Sequence, residues 1–350
     1  MGRPPLRVGM LHDFARPDGG ASFEWAVRLG LGEAGAQGRL PPVVFLHEPA
    51  HGGPDHALAP AFARLVGGDV LAILGPALSD GALAVRSLAD EARVPCINYA
   101  GNELARGPYL FHFQLGSLED EPSLLAGDLV RRRFGRAALI QDTSSVGERM
   151  AGFFGEAAAA TGREIVAHAR VEPDAAGVAA AVAAARRAAP DALVCLGFWR
   201  AARAVALEMR AQDWHVPALA NSALMYGHAD PVWAGDWEGW TYVDTFSDLN
   251  PRFAALSRTA AAAGRTAGPG EAGAYDLGRL LGEGLSRAPE FTREGVRAGL
   301  ERVKAVPAAS GRAGTLMGFG HWDRGALKGP YLVLREWRAG RSVERPENDP

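Results

Sequence analysis

The segment Val70–Val85, VLAILGPALSDGALAV, decides how this chain folds. It starts with a short apolar run, breaks at Gly75-Pro76 and continues through Ser79-Asp80 into a helical pattern. A continuous apolar run of this length is typical of a parallel strand that is buried on both faces. The segment therefore predicts a strand that leads directly into a helix whose first N–H groups are unpaired and face outward.

Ser79 falls at the N-cap position of the predicted helix. Its hydroxyl and the free N–H groups of the first turn would then meet at one point, where a small anionic or polar group can dock. The alternative is that Ser79 only caps its own helix. The segment alone leaves both interpretations open.

The composition limits the classes of protein to consider. The chain has 350 residues, 48% of them hydrophobic, and a net charge of −3, which allows one large or two medium domains. The slightly acidic balance and the absence of a long basic run argue against nucleic acid as a partner. No apolar run reaches the ~18 residues that span a bilayer, so we expect no direct membrane insertion.

The compartment stays open at this stage. No signal-peptide core precedes the strand-like run Leu6–Leu11, so either the protein is cytoplasmic or an export segment lies outside this chain. Cys96 and Cys195 each lie in or beside their own apolar run, which predicts two buried free thiols rather than a disulfide or a metal site.

Strand-like runs and helical patterns alternate along the chain, which predicts an α/β fold with parallel sheets covered by helices. Extended segments without a preceding helix suggest that the chain passes between two lobes near residues 115, 247 and 325. We therefore assign 1–115 plus 248–325 to one lobe and 116–247 plus 326–350 to the other. A cleft between lobes is a usual place for a small-molecule site. The main strand-like runs are Leu6–Leu11, Val43–Leu46, Val70–Leu74, Cys96–Tyr99, Ala137–Ile140, Ile165–Val171 and Leu193–Phe198.

Motifs for cofactors, metals and catalysis are weak. Gly30–Gly35 matches GxGxxG, but it falls within a helical pattern rather than in the turn after a strand, so we predict no nucleotide cofactor. His47, His51 and His56 lie in a Pro/Gly-rich loop with no standard ligand spacing, so we predict no metal. We find no nucleophile–base pair and predict that the chain has no catalytic residues and is not an enzyme.

Several segments in order resemble the branched-chain amino-acid (Leu/Ile/Val) binding protein family of ABC importers, the type I periplasmic binding proteins. The resemblance runs from about Leu6 to Val343. It implies two Rossmann-like lobes with parallel sheets, joined by three crossovers, that close on a ligand in the cleft between them. The segments that carry the resemblance are Val70–Val85, Val94–Asn102, Phe134–Asp142 with Val146-Gly147, Asp191–Phe198, Ala274–Gly278 and Gly311–Phe319.

The resemblance also implies ligand contacts in the first lobe. Ser79 would hold a ligand carboxylate or amide, and the loop Ala100-Gly101-Asn102 would supply backbone groups, with Asn102 in place of the usual Thr or Ser. Phe14 would form an aromatic wall. The alternatives are that Phe14 is a core residue, that Ala100 and Gly101 only form a tight turn, and that Asn102 is a cap.

The second lobe departs from the family pattern. Val146 stands where the family has a tyrosine, and residues 220–223 lack the acidic residue that pairs with an α-ammonium group. Trp199 would stack on the ligand, Ser222 would be a polar contact, and Asp244 could rescue an ammonium contact. The alternatives are that Trp199 is a core aromatic residue and that Ser222 is a cap. A buried ammonium group without a carboxylate costs several kcal/mol, so we expect a ligand other than a simple α-amino acid.

The sequence thus predicts a substrate-binding protein of an ABC importer. Its ligand would be a carboxylate or amide with an apolar or aromatic body, and its protein partners would be the membrane subunits of the transporter. By the resemblance it would lie in the periplasm or at the cell surface. The alternative is a cytoplasmic small-molecule sensor, similar to the amide sensors, that controls a regulatory protein.

Overall fold

The computed structural model describes residues 4–14, 20–35, 40–51, 57–172 and 177–345. The chain forms two compact units. Unit 1 comprises the described residues of Met1–Leu115 and Phe246–Tyr331, and unit 2 comprises those of Gly116–Thr245 and Leu332–Pro350.

The strands and helices alternate along most of the described chain. The strands are β1 Leu6–His12, β2 Val43–Pro49, β3 Ala72–Leu74, β4 Cys96–Asn98, β5 Leu110–His112, β6 Arg136–Asp142, β7 Glu164–Val171, β8 Ala192–Leu196, β9 Ala218–Ala220, β10 Thr241–Asp244, β11 Val306–Pro307, β12 Leu316–Met317, β13 Leu327–Lys328, β14 Val333–Arg338 and β15 Arg341–Glu344. The α-helices are α1 Ala21–Gly35, α2 Leu58–Gly67, α3 Ser79–Ala92, α4 Asp120–Arg131, α5 Ser145–Ala160, α6 Val178–Arg187, α7 Trp199–Ala211, α8 Pro231–Asp236, α9 Pro251–Ala262, α10 Pro269–Arg287 and α11 Arg293–Leu300. A 3₁₀ helix covers Ser222–His228.

Unit 1 is built on a parallel sheet with the strand order β2-β1-β3-β4-β5. Its central strands carry apolar side chains on both faces: Val8, Ile73 and Ile97 have no exposed surface. This is the burial that helices on both faces of a parallel sheet impose. Strands β11, β12 and β13 form a small antiparallel sheet in the same unit.

Unit 2 repeats this arrangement. Five of its strands lie in the order β7-β6-β8-β9-β10 and pair in parallel. β1 and β6 therefore hold the same place in their sheets, as do β3 and β8. The antiparallel hairpin β14-β15 extends the sheet beyond β10. In each unit the connections reverse direction beside β1 or β6, and ligands of open α/β sheets bind at the carboxyl ends of strands at such points.

Two unit boundaries differ from the sequence-based expectation. Residues 246–247 belong to unit 1, because Phe246 bridges to Gly311 and packs its ring 4.7 Å from the ring of Phe253. Residues 326–331 also belong to unit 1. The N–H of Leu327 donates to Gln114 Oε1 at 2.9 Å, and Gln114 Nε2 donates back to the Leu327 carbonyl at 3.2 Å.

The two cysteines are free and buried, as predicted. Burial is the main cause that raises the thiol pKa of both Cys96 and Cys195 above the ordinary value. Each thiol therefore remains protonated and belongs to the apolar core of its unit.

Gly30, which belongs to the GxGxxG match, lies inside α1 and allows that helix to pack closely against α10. A Cβ on Gly30 would lie 2.0 Å from the Tyr275 carbonyl oxygen. On α10, a Cβ on Gly278 would lie 2.0 Å from the Val27 carbonyl oxygen. The glycines of this interface permit backbone contact between two helices.

We predict that Gly278→Ala destabilises unit 1 by about 1–3 kcal/mol, because the added methyl group overlaps backbone that cannot move independently. Gly152→Ala in α5 is the matched control, because a Cβ there meets no atom within 4 Å. At this exposed position of the helix, the change should stabilise the protein by roughly 0.5–1 kcal/mol. Urea unfolding of both variants is the measurement. Equal midpoints for Gly278→Ala and the wild type would contradict the packing described here.

Candidate functional site

A buried carboxylate fixes the loop between β3 and α3 in unit 1. Asp13 follows β1, is 9% exposed and accepts the N–H groups of Ala77 at 2.9 Å and Leu78 at 2.7 Å. Leu78 is the N-cap residue of α3. A carboxylate at this position satisfies an unpaired N–H group and interacts favourably with the positive end of the helix. The start of α3 is therefore tied to the carboxyl end of β1.

Unit 2 contains the same device. Asp142, the last residue of β6, has no exposed surface, and its Oδ2 accepts the N–H of Phe198 at 2.6 Å. Phe198 is the N-cap residue of α7, as Leu78 is of α3. Gly197 makes room for the carboxylate: its φ is +130°, and a Cβ there would lie 2.3 Å from Asp142 Cγ. The two units thus use corresponding carboxylates to fix corresponding helix starts.

The prediction that Ser79 is an N-cap is wrong. Ser79 is the first residue of α3, and Leu78 precedes it with extended backbone angles of −80° and 141°. The physical reason is that the segment before the helix is held in place by Asp13, directly after β1, which accepts the N–H groups of Ala77 and Leu78, so that the helix begins one residue earlier than predicted. The Ser79 side chain is 9% exposed, and its hydroxyl has no hydrogen-bond partner within the described ranges. Its hydroxyl is thus available for a ligand.

Some polar groups of the loop after β4 already make hydrogen bonds within the protein. The Ala100 carbonyl accepts a hydrogen bond from His112 Nε2 at 2.7 Å, and burial lowers the pKa of His112 to about 4, so the ring is neutral. Asn102 Oδ1 accepts the N–H of Leu104 at 3.0 Å, which is the local turn that the sequence left as an alternative. Asn102 is 6% exposed and Gly101 is half-buried. Among the described residues, Asn102 Nδ2 has no partner.

The predicted aromatic contacts differ in their surroundings. Phe14 is half-buried and lies directly after Asp13, beyond the carboxyl end of β1. Trp199, the first residue of α7, stacks on Trp233 with 4.2 Å between ring centroids and packs against the core of unit 2. One face of the Trp199 ring is therefore covered by protein. The neighbouring Phe198 side chain is 38% exposed, so Phe198 is a better candidate for an aromatic contact.

The remaining predicted residues of unit 2 lie near buried groups. Val146, in the first turn of α5, is 9% exposed. Ser222 opens the 3₁₀ helix and donates hydrogen bonds to the carboxylate of Glu121 through its N–H at 2.7 Å and its hydroxyl at 3.0 Å. Asp244 ends β10 with no exposed surface, which argues against direct contact of its carboxylate with a ligand.

Sequence reasoning missed Asp13, Asp142 and Glu121. The first two directly follow apolar strands, and this position is the only sequence signal that could have pointed to them. Glu121 lies in the first turn of α4, far along the chain from Ser222, so its contact depends on the tertiary fold.

A cavity of about 410 Å³ in unit 2 lies away from these residues. Its lining includes Arg210, Trp214, Asp236 and Trp240, at the amino ends of β9 and β10. Asp236 is already paired with Arg210 at 2.7 Å. The ligand site of an open parallel sheet is expected at the carboxyl ends of the strands. This cavity lies at the opposite ends, so it is not a candidate for that site.

Within the described residues, no group of three or more His, Cys, Asp and Glu side chains is arranged to hold a metal ion. His12 and His47 stack with their ring centroids 5.3 Å apart. His56, the third histidine of the loop considered above, lies outside the described residues. In the same part of the chain, no helix is both long and apolar enough to cross a membrane.

Comparison with known proteins decides the family. The family model described as periplasmic binding protein matches residues 5–328. The chain belongs to the periplasmic binding protein family. No functionally curated protein matches it.

Solved structures of the same type cover almost the whole chain. A leucine-binding protein, LivK, from Thermotoga maritima has a TM-score of 0.81 and 17% identity, covering 97% of this chain and 98% of its own. The LivJ protein from Streptococcus pneumoniae, in complex with isoleucine, has a TM-score of 0.80 and 18% identity over 98% of this chain and 100% of its own. An ABC transporter substrate-binding protein from Desulfitobacterium hafniense, in complex with Leu, has a TM-score of 0.81 and 18% identity with the same coverage. At this identity the likeness establishes the two-lobe type I periplasmic binding protein fold.

We predict that Asp142→Asn lowers stability by about 1.5–3 kcal/mol, because a neutral side chain replaces a buried charged acceptor of backbone N–H groups. Asp213→Asn is the isosteric control in the same unit, with a side chain that is 91% exposed. It should change stability by less than about 0.5 kcal/mol. Urea unfolding followed by circular dichroism measures both. Similar effects for the two variants would show that the Asp142 carboxylate is not needed to fix α7.

Proposed function

We propose that this member of the family is the substrate-binding protein of an ABC importer. The observation that carries the proposal is the family match over residues 5–328. It is supported by structural relatives that are ABC-transporter substrate-binding proteins. The ligand contacts would come from residues at the carboxyl ends of the parallel strands. The protein would bind and release its ligand without chemical change.

The partners and the compartment follow from the same proposal. The protein would act outside the cytoplasm and deliver its ligand to the membrane subunits of the transporter. The alternative of a cytoplasmic sensor gains no support from the relatives described above.

We further propose that the ligand is a carboxylate or an amide with an apolar or aromatic body, and not a simple α-amino acid. Asp142, Glu121 and Asp244 lie at or near the carboxyl ends of the unit 2 strands, and each is at most 1% exposed. Both oxygens of Glu121 already accept hydrogen bonds from the protein. These carboxylates are therefore poorly placed to neutralise an ammonium group, which needs a charged partner when it is desolvated.

A thermal-shift screen tests the ligand class. The probes are L-leucine, L-isoleucine, 4-methylpentanoate, 4-methylpentanamide, phenylacetate and phenylacetamide. We predict that at least one probe without an ammonium group raises the melting temperature, because a ligand that binds only the folded state stabilises it. The two amino acids should have the smallest effects. A largest shift with leucine or isoleucine, or no shift with any probe, would reject this ligand class.

Ser79→Ala tests the contact in unit 1. Loss of a buried hydrogen bond should weaken binding of the best probe by about 1–3 kcal/mol, measured by calorimetry. Ser87→Ala, an exposed serine on the same helix, is the matched control and should leave the affinity unchanged. Equal affinities for Ser79→Ala and the wild type would remove Ser79 from the site.

A further inference from the structure

Glu121 joins two loops of unit 2 through one carboxylate. Its Oε1 accepts the N–H of Ser117 at 2.8 Å and the hydroxyl of Ser222 at 3.0 Å, and its Oε2 accepts the N–H of Ser222 at 2.7 Å. Glu121 is 1% exposed, whereas Ser222 is half-buried. Ser222 is therefore the more accessible of the two hydrogen-bonded residues.

Backbone geometry supports this arrangement. Gly116 has a φ of +98°, and a Cβ there would lie 2.6 Å from Glu121 Oε1 and 3.2 Å from Ser222 Oγ. Any larger residue would be strained at this φ and would displace the carboxylate. Gly116 is also the first residue of unit 2 along the chain. The hydrogen bonds of Glu121 with Ser117 and Ser222, which we call the clamp, thus link the segment that enters the unit to the loop after β9.

Burial and a neighbouring carboxylate oppose the ionisation of Glu121. Burial is the main cause that raises its pKa to about 7, and the nearby carboxylate of Asp244 on β10 acts in the same direction. On the 3₁₀ helix, His228 Nε2 lies 3.7 Å from Asp244 Oδ2. On α5, Arg149 pairs with Glu119 at 3.6 Å. The hydrogen bonds from Ser117 and Ser222 act in the opposite direction and favour the ionised form.

We propose that Glu121 is a positioning residue that orients the Ser222 hydroxyl toward the protein, so that Ser222 offers its oxygen lone pairs to the ligand. The complement of a lone pair is an N–H group, so the structure favours an amide over a carboxylate as ligand. This inference rests on the proposed function and narrows its ligand class. Residues 220–223 contain no acidic residue, and in this proposal the carboxylate of Glu121 acts on the ligand indirectly, through the hydroxyl of Ser222.

The proton on Glu121 controls the direction of this hydrogen bond. An ionised carboxylate can only accept, so the Ser222 hydroxyl donates to it. A protonated carboxyl group can donate to Ser222 Oγ, which frees the hydroxyl hydrogen for a ligand acceptor. The preference for an amide should therefore be greatest above the pKa and should decrease as the pH falls through it.

Binding of isosteric probe pairs tests the proposal. In the wild type, about one pH unit above the Glu121 pKa, we expect the amide of each bound pair, 4-methylpentanamide or phenylacetamide, to bind about tenfold tighter than its carboxylate. About one unit below that pKa, where the carboxylate probes are still ionised, the ratio should shrink several-fold. In Glu121→Gln the ratio should be small and independent of pH. A preference for the carboxylate in the wild type, or an unchanged ratio in Glu121→Gln, would overturn the proposal.

Asp276→Asn is the matched control. Asp276 is a buried carboxylate of unit 1 that accepts the N–H groups of Ala309 at 2.9 Å and Ser310 at 2.7 Å. Its pKa is also raised by burial, to about 6. Asp276→Asn should therefore lower the stability of the protein as Glu121→Gln does. It should leave the preference for the amide, and the change of that preference with pH, as in the wild type. Loss of the preference in this control would show that the effect is not specific to Glu121.

Hydrogen exchange tests the clamp without a ligand. Glu121→Gln should increase the exchange rate of the Ser117 and Ser222 amides by about tenfold, because their acceptor is weakened. Asp276→Asn should affect Ala309 and Ser310 instead. Unchanged exchange at Ser222 would overturn the clamp. If Glu121→Gln does not fold, Ser222→Ala is the second variant, and it should abolish the pH-dependent amide preference.

These outcomes separate the two proposals. Failure of every probe to bind would reject the proposed ligand class, and the exchange experiment would still decide the clamp. Binding of the probes with no effect of Glu121→Gln would reject the clamp's role and leave the proposed function in place.

Discussion

A buried carboxylate that binds the backbone N–H of a helix's N-cap residue is the interaction on which the candidate site depends. Asp13 does this for α3 in unit 1, and Asp142 does it for α7 in unit 2. Each carboxylate lies at the carboxyl end of the strand next to the one that feeds the helix. The loops after β3 and β8 are therefore fixed by the protein before any ligand arrives. Preorganised polar groups of this kind lower the entropic cost of binding.

The same constraint explains which polar groups remain for a ligand. Asp13 fixes the segment before α3 so that Leu78 is the N-cap residue, and the Ser79 hydroxyl, inside the helix, stays available. In unit 2 the corresponding helix start presents Phe198, while Glu121 is buried and accepts the N–H of Ser222. The side chains that remain accessible to a ligand, Ser79, Phe198 and Ser222, are thus neutral. This agrees with a ligand that carries a polar amide or carboxylate on an apolar body.

The sequence was sufficient to predict the repeated strand–helix units and the fold class, because continuous apolar runs and helical periodicity are local signals. It was also sufficient to identify the family, which the match over residues 5–328 confirms. It failed where a distant residue decides the local structure. Ser79 has every local feature of an N-cap, yet Leu78 is the N-cap residue, and its N–H donates to Asp13, more than sixty positions earlier. The domain boundary near residue 325 was misplaced because Gln114 pairs with Leu327 across the fold. The contact of Glu121 with Ser222 had no local signal at all.

The central claim is that a ligand binds at the carboxyl ends of the parallel strands, and amide chemical-shift mapping tests it most directly. The bound probe from the screen is titrated into isotopically labelled protein. The account predicts the largest shifts at Ser79, Asn102 and Ser222, with small shifts at Trp214 and Trp240, which line the cavity at the opposite ends of β9 and β10. Shifts concentrated at Trp214 and Trp240 would contradict it.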